Sequence, residues 1–151
     1  MAKIVVAQNK KVYHNFEIIE TYDAGIVLKG SEVKSIREGK IDIKDAYCLI
    51  KRNEVWLINA KIAPYEKSSH VKLPIDRDRK LLLHRREINR IIGKMSQKGF
   101  LLKPTKVYFN ERGFAKIEIA LCKYKKLYDR REEIKKRELE KELIRIRKGM
   151  Y

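Results

Sequence analysis

Cysteine, proline and tryptophan are scarce in this chain, with two, three and one among 151 residues. Cys48 and Cys122 both fall in strand-like runs, at no metal-ligand spacing, and two cysteines make no disulfide framework. They read as small buried hydrophobes in a reducing compartment, and a cytoplasmic location is expected. Long apolar runs are also missing. KIVVA (Lys3–Ala7) is too short for the apolar region of a signal peptide, and nothing approaches the ~20 residues of a membrane span. No GxSxG, HExxH, phosphate-binding loop or GxGxxG occurs, and there is no internal repeat or low-complexity linker. His14, His70 and His84 invite a nuclease reading, but no serine, cysteine or carboxylate stands at a motif spacing from any of them. His14 and His84 read instead as phosphate or base contacts, or as satisfied surface histidines. No cofactor, metal or enzymatic activity is expected.

Acidic residues are few against basic ones, 20 to 37, for a formal net charge of +17. Such an excess points to a polyanionic partner. Nucleic acid leads, because an anionic membrane would call for a wider apolar stripe with aromatic anchors. The excess is spread over two regions. Residues 1–122 carry 25 basic and 14 acidic side chains and are long enough to bury a core; residues 123–151 carry twelve and six.

The body reads mainly as short strands. They are expected at Lys3–Ala7, Asn15–Tyr22 and Ile26–Leu28, with Asp23-Ala24-Gly25 as a break. A hairpin is expected at Tyr47–Arg52 and Glu54–Ile58, with Trp56 in the core. Further strands are expected at Phe100–Phe109, split or broken at Pro104, and at Phe114–Cys122. Ser31–Glu38 reads as a short helix with a basic face bearing Lys34 and Arg37, closed by Gly39. Arg85–Gln97 is the clearest helix, with Ile88, Ile91, Ile92 and Met95 on one face. Gln8–His14 reads as a polar, basic turn and Glu66–Asp78 as a loop. This pattern fits a small antiparallel barrel better than a bundle or a doubly wound sheet. Such a barrel face, set with lysine, asparagine, histidine and aromatics, holds folded or single-stranded RNA. Asn9–His14, Lys34–Lys40 and Arg77–Arg86 are the candidate basic clusters.

The last 29 residues have no proline, one glycine and little apolar surface. Asp129 with Glu132 makes a capping-box-like start, and Glu132–Lys136 and Glu133–Arg137 are favourable i,i+4 pairs. Leu139, Leu143 and Ile146 give only a thin apolar stripe. The segment reads as a latent helix, disordered in the free protein and ordered on a partner. The alternative is a solvated helix docked on the body.

Three strings resemble the SsrA-binding protein family, also called small protein B. They are Gly25–Lys40 (GIVLKGSEVKSIREGK), Arg79–His84 (RKLLLH) and Lys125–Arg131 (KKLYDRR) before a charged tail, and Asn9-Lys10-Lys11 with His14 adds a fourth likeness. The resemblance implies a six-stranded antiparallel barrel related to the oligonucleotide-binding fold, with short flanking helices and a basic C-terminal tail that becomes helical on the ribosome. It implies binding to the tRNA-like domain of transfer-messenger RNA (tmRNA) and a part in rescuing stalled ribosomes. The ribosome and elongation factor Tu are then partners of a monomer. By position, Asn9, Lys10, Lys11, His14, Asp23, Lys34, Arg37, Leu82 and His84 are implied RNA contacts. Lys125, Lys126, Tyr128, Asp129, Arg130 and Arg131 are implied to serve the decoding site. Asp23 stands where the family usually has glutamate, and Tyr124 where it usually has glycine. The alternative is a general barrel protein of translation that binds many RNAs.

Overall fold

Residues 3–65, 73–125 and 136–142 are described by the computed structural model. Among them the order is β1 (Ile4–Gln8), α1 (Lys11–Asn15), β2 (Phe16–Ile26), α2 (Gly30–Arg37), β3 (Ile41–Asp42), β4 (Tyr47–Lys51), β5 (Glu54–Ile58), β6 (Lys61–Ile62), β7 (Arg79–Leu82), α3 (Arg85–Met95), β8 (Phe100–Phe109) and β9 (Ala115–Tyr124). Residues 136–142 are helical and exposed.

Six strands close on themselves in the order β8-β4-β5-β7-β2-β9, with β9 paired back to β8. Every pairing is antiparallel, as a barrel of this size allows without leaving ring edges open. Outside the ring, β1 pairs with the Lys106–Phe109 end of β8, beyond the point where Leu102 meets Cys48 of β4. β3 and β6 form a separate two-stranded ribbon.

Period-two alternation fills the interior. Val55 and Leu57, Leu81, Leu102 and Val107, and Ile117, Ile119 and Leu121 point inward and are buried, and α2 and α3 add Ile36, Ile88 and Ile91 to the same core. Removing one such side chain, as in Leu121→Ala, costs about 2–5 kcal/mol in cores of this kind. Gly39, at φ 75°, turns the chain after α2, and its N–H donates to Ile36 at 2.9 Å. α3 is tied to β2 through Arg90, whose Nε donates to both oxygens of Glu20 at 3.0 and 2.9 Å. Those bonds, with one from Tyr22, hold the Glu20 carboxyl down to about 2.

Several local expectations change. β2 does not break at Asp23-Ala24-Gly25 but runs through it to Ile26. Ala24 faces the core while Asp23 and Gly25 face outward, so the glycine costs the interior nothing. A Cβ on Gly25 would come within 3.3 Å of Leu82 Cβ, so the residue marks a close approach of β7. Lys11–Asn15 is a one-turn helix, not an open turn, held by Val12 against Phe16 and Cys122 on the outside of the barrel. Trp56 is not in the core. It faces outward between Leu49 and Lys80, is half-buried, and lies under Lys51 Nζ at 4.5 Å. β8 is continuous across Pro104, with a bulge between Pro104 and Lys106 taking up the missing donor. Both cysteines are free and buried, and burial raises both thiols, that of Cys122 to about 11. The latent helix expected in the last 29 residues is described only at 136–142, and residues 66–72 of the expected loop, with His70, and Lys126, Tyr128, Asp129, Arg130 and Arg131 lie outside the described residues.

Candidate nucleic-acid interface

Cross-strand register assembles the candidate face on the outside of β7, β2, β9, β8 and β1. One row runs Leu82, Gly25, Lys116, Tyr108, Val5; the neighbouring row runs Asp23, Glu118, Lys106, Gln8. Leu82 is 53% exposed, beside the buried Leu81. The missing side chain at Gly25 gives it room to lie across β2. His84, two residues on, caps α3, and its N–H donates to Glu87 Oε1 at 3.1 Å while its side chain is exposed.

Asp23 and Glu118 are directly opposite each other, an arrangement that repels unless each carboxylate has donors. Asp23 accepts from the Tyr108 hydroxyl at 2.8 Å. Glu118 accepts from Thr105 at 2.5 Å and from the Tyr13 hydroxyl at 3.5 Å, with Lys106 Nζ at 3.9 Å. Burial, and then the bond to Asp23, push the Tyr108 phenol well above its ordinary range, so it remains a donor at neutral pH. Through Tyr13, α1 is leashed to this second row. Lys10, Lys11 and His14 are exposed at the start of α1 and along it, the helix that this bond ties to the row.

Asn9 differs from its neighbours. It is only 6% exposed, and its Nδ2 donates to the carbonyls of Ile43 and Lys44 at 3.3 and 3.2 Å. Its own backbone bonds reach Thr105 and Val12. The side chain fixes where β1 ends and α1 begins, and so aims Lys10 and Lys11.

Lys34 and Arg37 are exposed on α2. Arg37 lies over the Phe109 ring at 5.9 Å; Phe109 belongs to the core and has the opposite parity to Tyr108, so this contact does not place Arg37 on the Tyr108 face. Lys34 lies over Tyr65 at 5.4 Å, and no contact joins it to Asp23. Lys125 is half-buried, and its N–H donates to the Asn15 carbonyl at 3.2 Å, so the chain leaves β9 against the last residue of α1. Tyr13, Tyr108, Lys106 and Glu118 were not singled out from the sequence. Only strand parity and register could have placed them.

Cations for phosphates, a carboxylate for donors and an exposed leucine for a base or ribose suit RNA better than a small molecule. A cleft of about 420 Å³ beside the β3–β6 ribbon is lined by none of these residues. Among the described residues, no cluster of three histidine, cysteine or acidic side chains could hold a metal ion, and no helix is long and apolar enough to cross a membrane.

The family model for SmpB protein matches residues 6–149. The chain belongs to the SmpB family. Among SmpB relatives, the SsrA-binding protein of Pseudothermotoga lettingae is 51% identical over 139 residues, covering 92% of this chain and 93% of its own. That of Persephonella marina is 52% identical over 145 residues, covering 96% and 95%. A solved chain from work on "tmRNA-SmpB: a journey to the center of the bacterial ribosome" is 49% identical, with a TM-score of 0.67, and the match covers 82% of this chain and 85% of that one. β9 ends at Tyr124, whose ring packs on Phe16 at 4.6 Å between centroids.

Proposed function

We propose that this chain binds tmRNA through the tRNA-like domain and acts with it, without catalysis of its own, in trans-translation on stalled ribosomes. The carrying observation is the outer face that holds Asp23 and Leu82, with α1 tied to its second row through Tyr13 and Glu118, in a chain whose SmpB relatives are named for binding SsrA RNA. Lys10, Lys11, His14 and Arg37 neutralise phosphates, Asp23 and Leu82 meet bases or riboses, and Asn9 holds α1 in place. Lys34 and His84 border the site from α2 and the start of α3. Residues 123–151 act separately, with Lys125, Lys126, Tyr128, Asp129, Arg130 and Arg131 at the decoding site and the rest in the empty message channel. The working unit is a cytoplasmic monomer delivered with elongation factor Tu.

Two measurements test this. RNA copurifying with the chain from its own cells is dominated by one species with a tRNA-like end; a broad tRNA and rRNA mixture would refute the reading. A chain ending at Tyr124 still binds tmRNA but no longer supports tagging on stalled ribosomes. Tagging by the shortened chain would overturn the role given to the tail.

A further inference from the structure

We infer that Tyr108 is a positioning residue. Its hydroxyl holds the Asp23 carboxylate on the outer face as an acceptor for one RNA donor, the 2-amino group of an unpaired guanosine or the 2′-hydroxyl of its ribose. The inference rests on the RNA-binding reading above.

A carboxylate on a face that meets phosphates is a liability unless a donor is presented to it. Asp23 is exposed, and its one hydrogen bond among the described residues comes from Tyr108. Tyr108 is 2% exposed, on β8, two strands from Asp23, with Lys3 Nζ over its ring at 4.6 Å. A buried phenol needs an acceptor, and this one takes a side chain that is otherwise open to solvent. Oδ1 is thereby fixed and Oδ2 is left for a ligand. Fixing the rotamer removes part of the ordering cost of binding, and a charge-assisted bond needs that alignment. Beside it, Leu82 over Gly25 offers an apolar shelf. A glutamate would reach further unaided; the shorter aspartate makes the tyrosine's grip matter more.

The test uses the full chain and a transcript of the tRNA-like domain of tmRNA. Tyr108→Phe weakens binding roughly tenfold, the scale of one bond to a charged group. Asp23→Asn weakens it by at least as much, and the double variant is no worse than Asp23→Asn. The slope of affinity against salt stays at the native value in all three, because no phosphate contact is lost. Multiplying losses, a changed slope, or Tyr108→Phe within about twofold of native would overturn the inference. A second arm does not depend on how Tyr108→Phe folds. Transcripts carrying inosine, or 2′-deoxyguanosine, at unpaired guanosines are bound by the native chain and by Asp23→Asn. One modification weakens native binding and leaves Asp23→Asn unaffected, which names the donor; indifference of the native chain to both sinks the idea. If the native chain ignores the unmodified transcript, the RNA-binding reading itself fails.

Discussion

Arg79 grips one oxygen of Glu32 twice, with Nε at 2.9 Å and Nη2 at 2.7 Å from Oε2, and the arginine is fully buried. Arg79 also donates to the carbonyls of Ala60 and Ile75 at 2.8 and 3.0 Å. The other Glu32 oxygen accepts from Arg77 at 2.5 Å and from the Lys29 N–H at 2.9 Å. The pair fastens α2, which carries Lys34 and Arg37, to β7, which carries Leu82. It also explains the glutamate in the SEVKS string, which the sequence reading left without a role.

Glu32→Ala is expected to cost about 3–5 kcal/mol, because it strands a buried guanidinium without its counter-charge. Arg79→Lys also destabilises, since an ammonium cannot reproduce the guanidinium's set of bonds. Urea unfolding of the three proteins measures both.

Acid sensitivity follows from two carboxylates. Burial alone would raise Glu32, but the bonds from Arg77, the Lys29 N–H and Arg79 outweigh it and the net shift is downward. Glu20 falls from 4.5 to about 2. Both are depressed in the folded state, so their contribution is full above 4.5 and is lost as pH falls through the folded values. Unfolding midpoints should hold between pH 7 and 5 and drop between pH 4.5 and 2. Glu20→Gln should flatten the drop, and an unchanged profile in that variant would count against the assignment.

Gly25→Ala places a methyl 3.3 Å from Leu82 Cβ. Leu82 must shift by a few tenths of an ångström. RNA affinity should fall severalfold while the melting temperature changes little, as calorimetry and a binding titration on one sample would show. Gly25→Val should be worse on both counts.

Lys10→Ala with Lys11→Ala should reduce the slope of log affinity against log salt by roughly 1.5, given ~0.7–0.9 per lost phosphate contact. Lys98→Ala, exposed beyond α3, should leave the slope unchanged. Filter binding at four salt concentrations is enough to decide.

The barrel was legible because alternation in FAKIEIALC and EVWLI reports which side chains face in. The α3 face was legible from its 3.6-residue spacing. Three things were not. Gly25 looked like a break, because a glycine that ends a strand and one that admits a neighbour read alike until β7 is in place. Residues Lys11–Asn15 carry no side-chain cap, and one helical turn has no period to detect. Trp56 was assigned by residue type, whereas its parity with buried Val55 and Leu57 puts it outside. The strings that resemble the family pointed to Asp23 and Leu82 by position. Tyr108, which holds Asp23, and the Tyr13–Glu118 leash depend on pairings 85 and 105 residues apart in sequence.

The bond from Lys125 N–H to the Asn15 carbonyl gives the body and tail a common anchor. Force applied to the chain beyond Lys125 is borne by the end of β9, paired to β2 and β8, together with the last residue of the helix that presents Lys11 and His14. A tail seated firmly on one particle would tug on the grip the body has on another, and a change in that grip would reset the direction in which the tail sets out. Body and tail thus meet where the paired end of β9 lies against the last residue of α1.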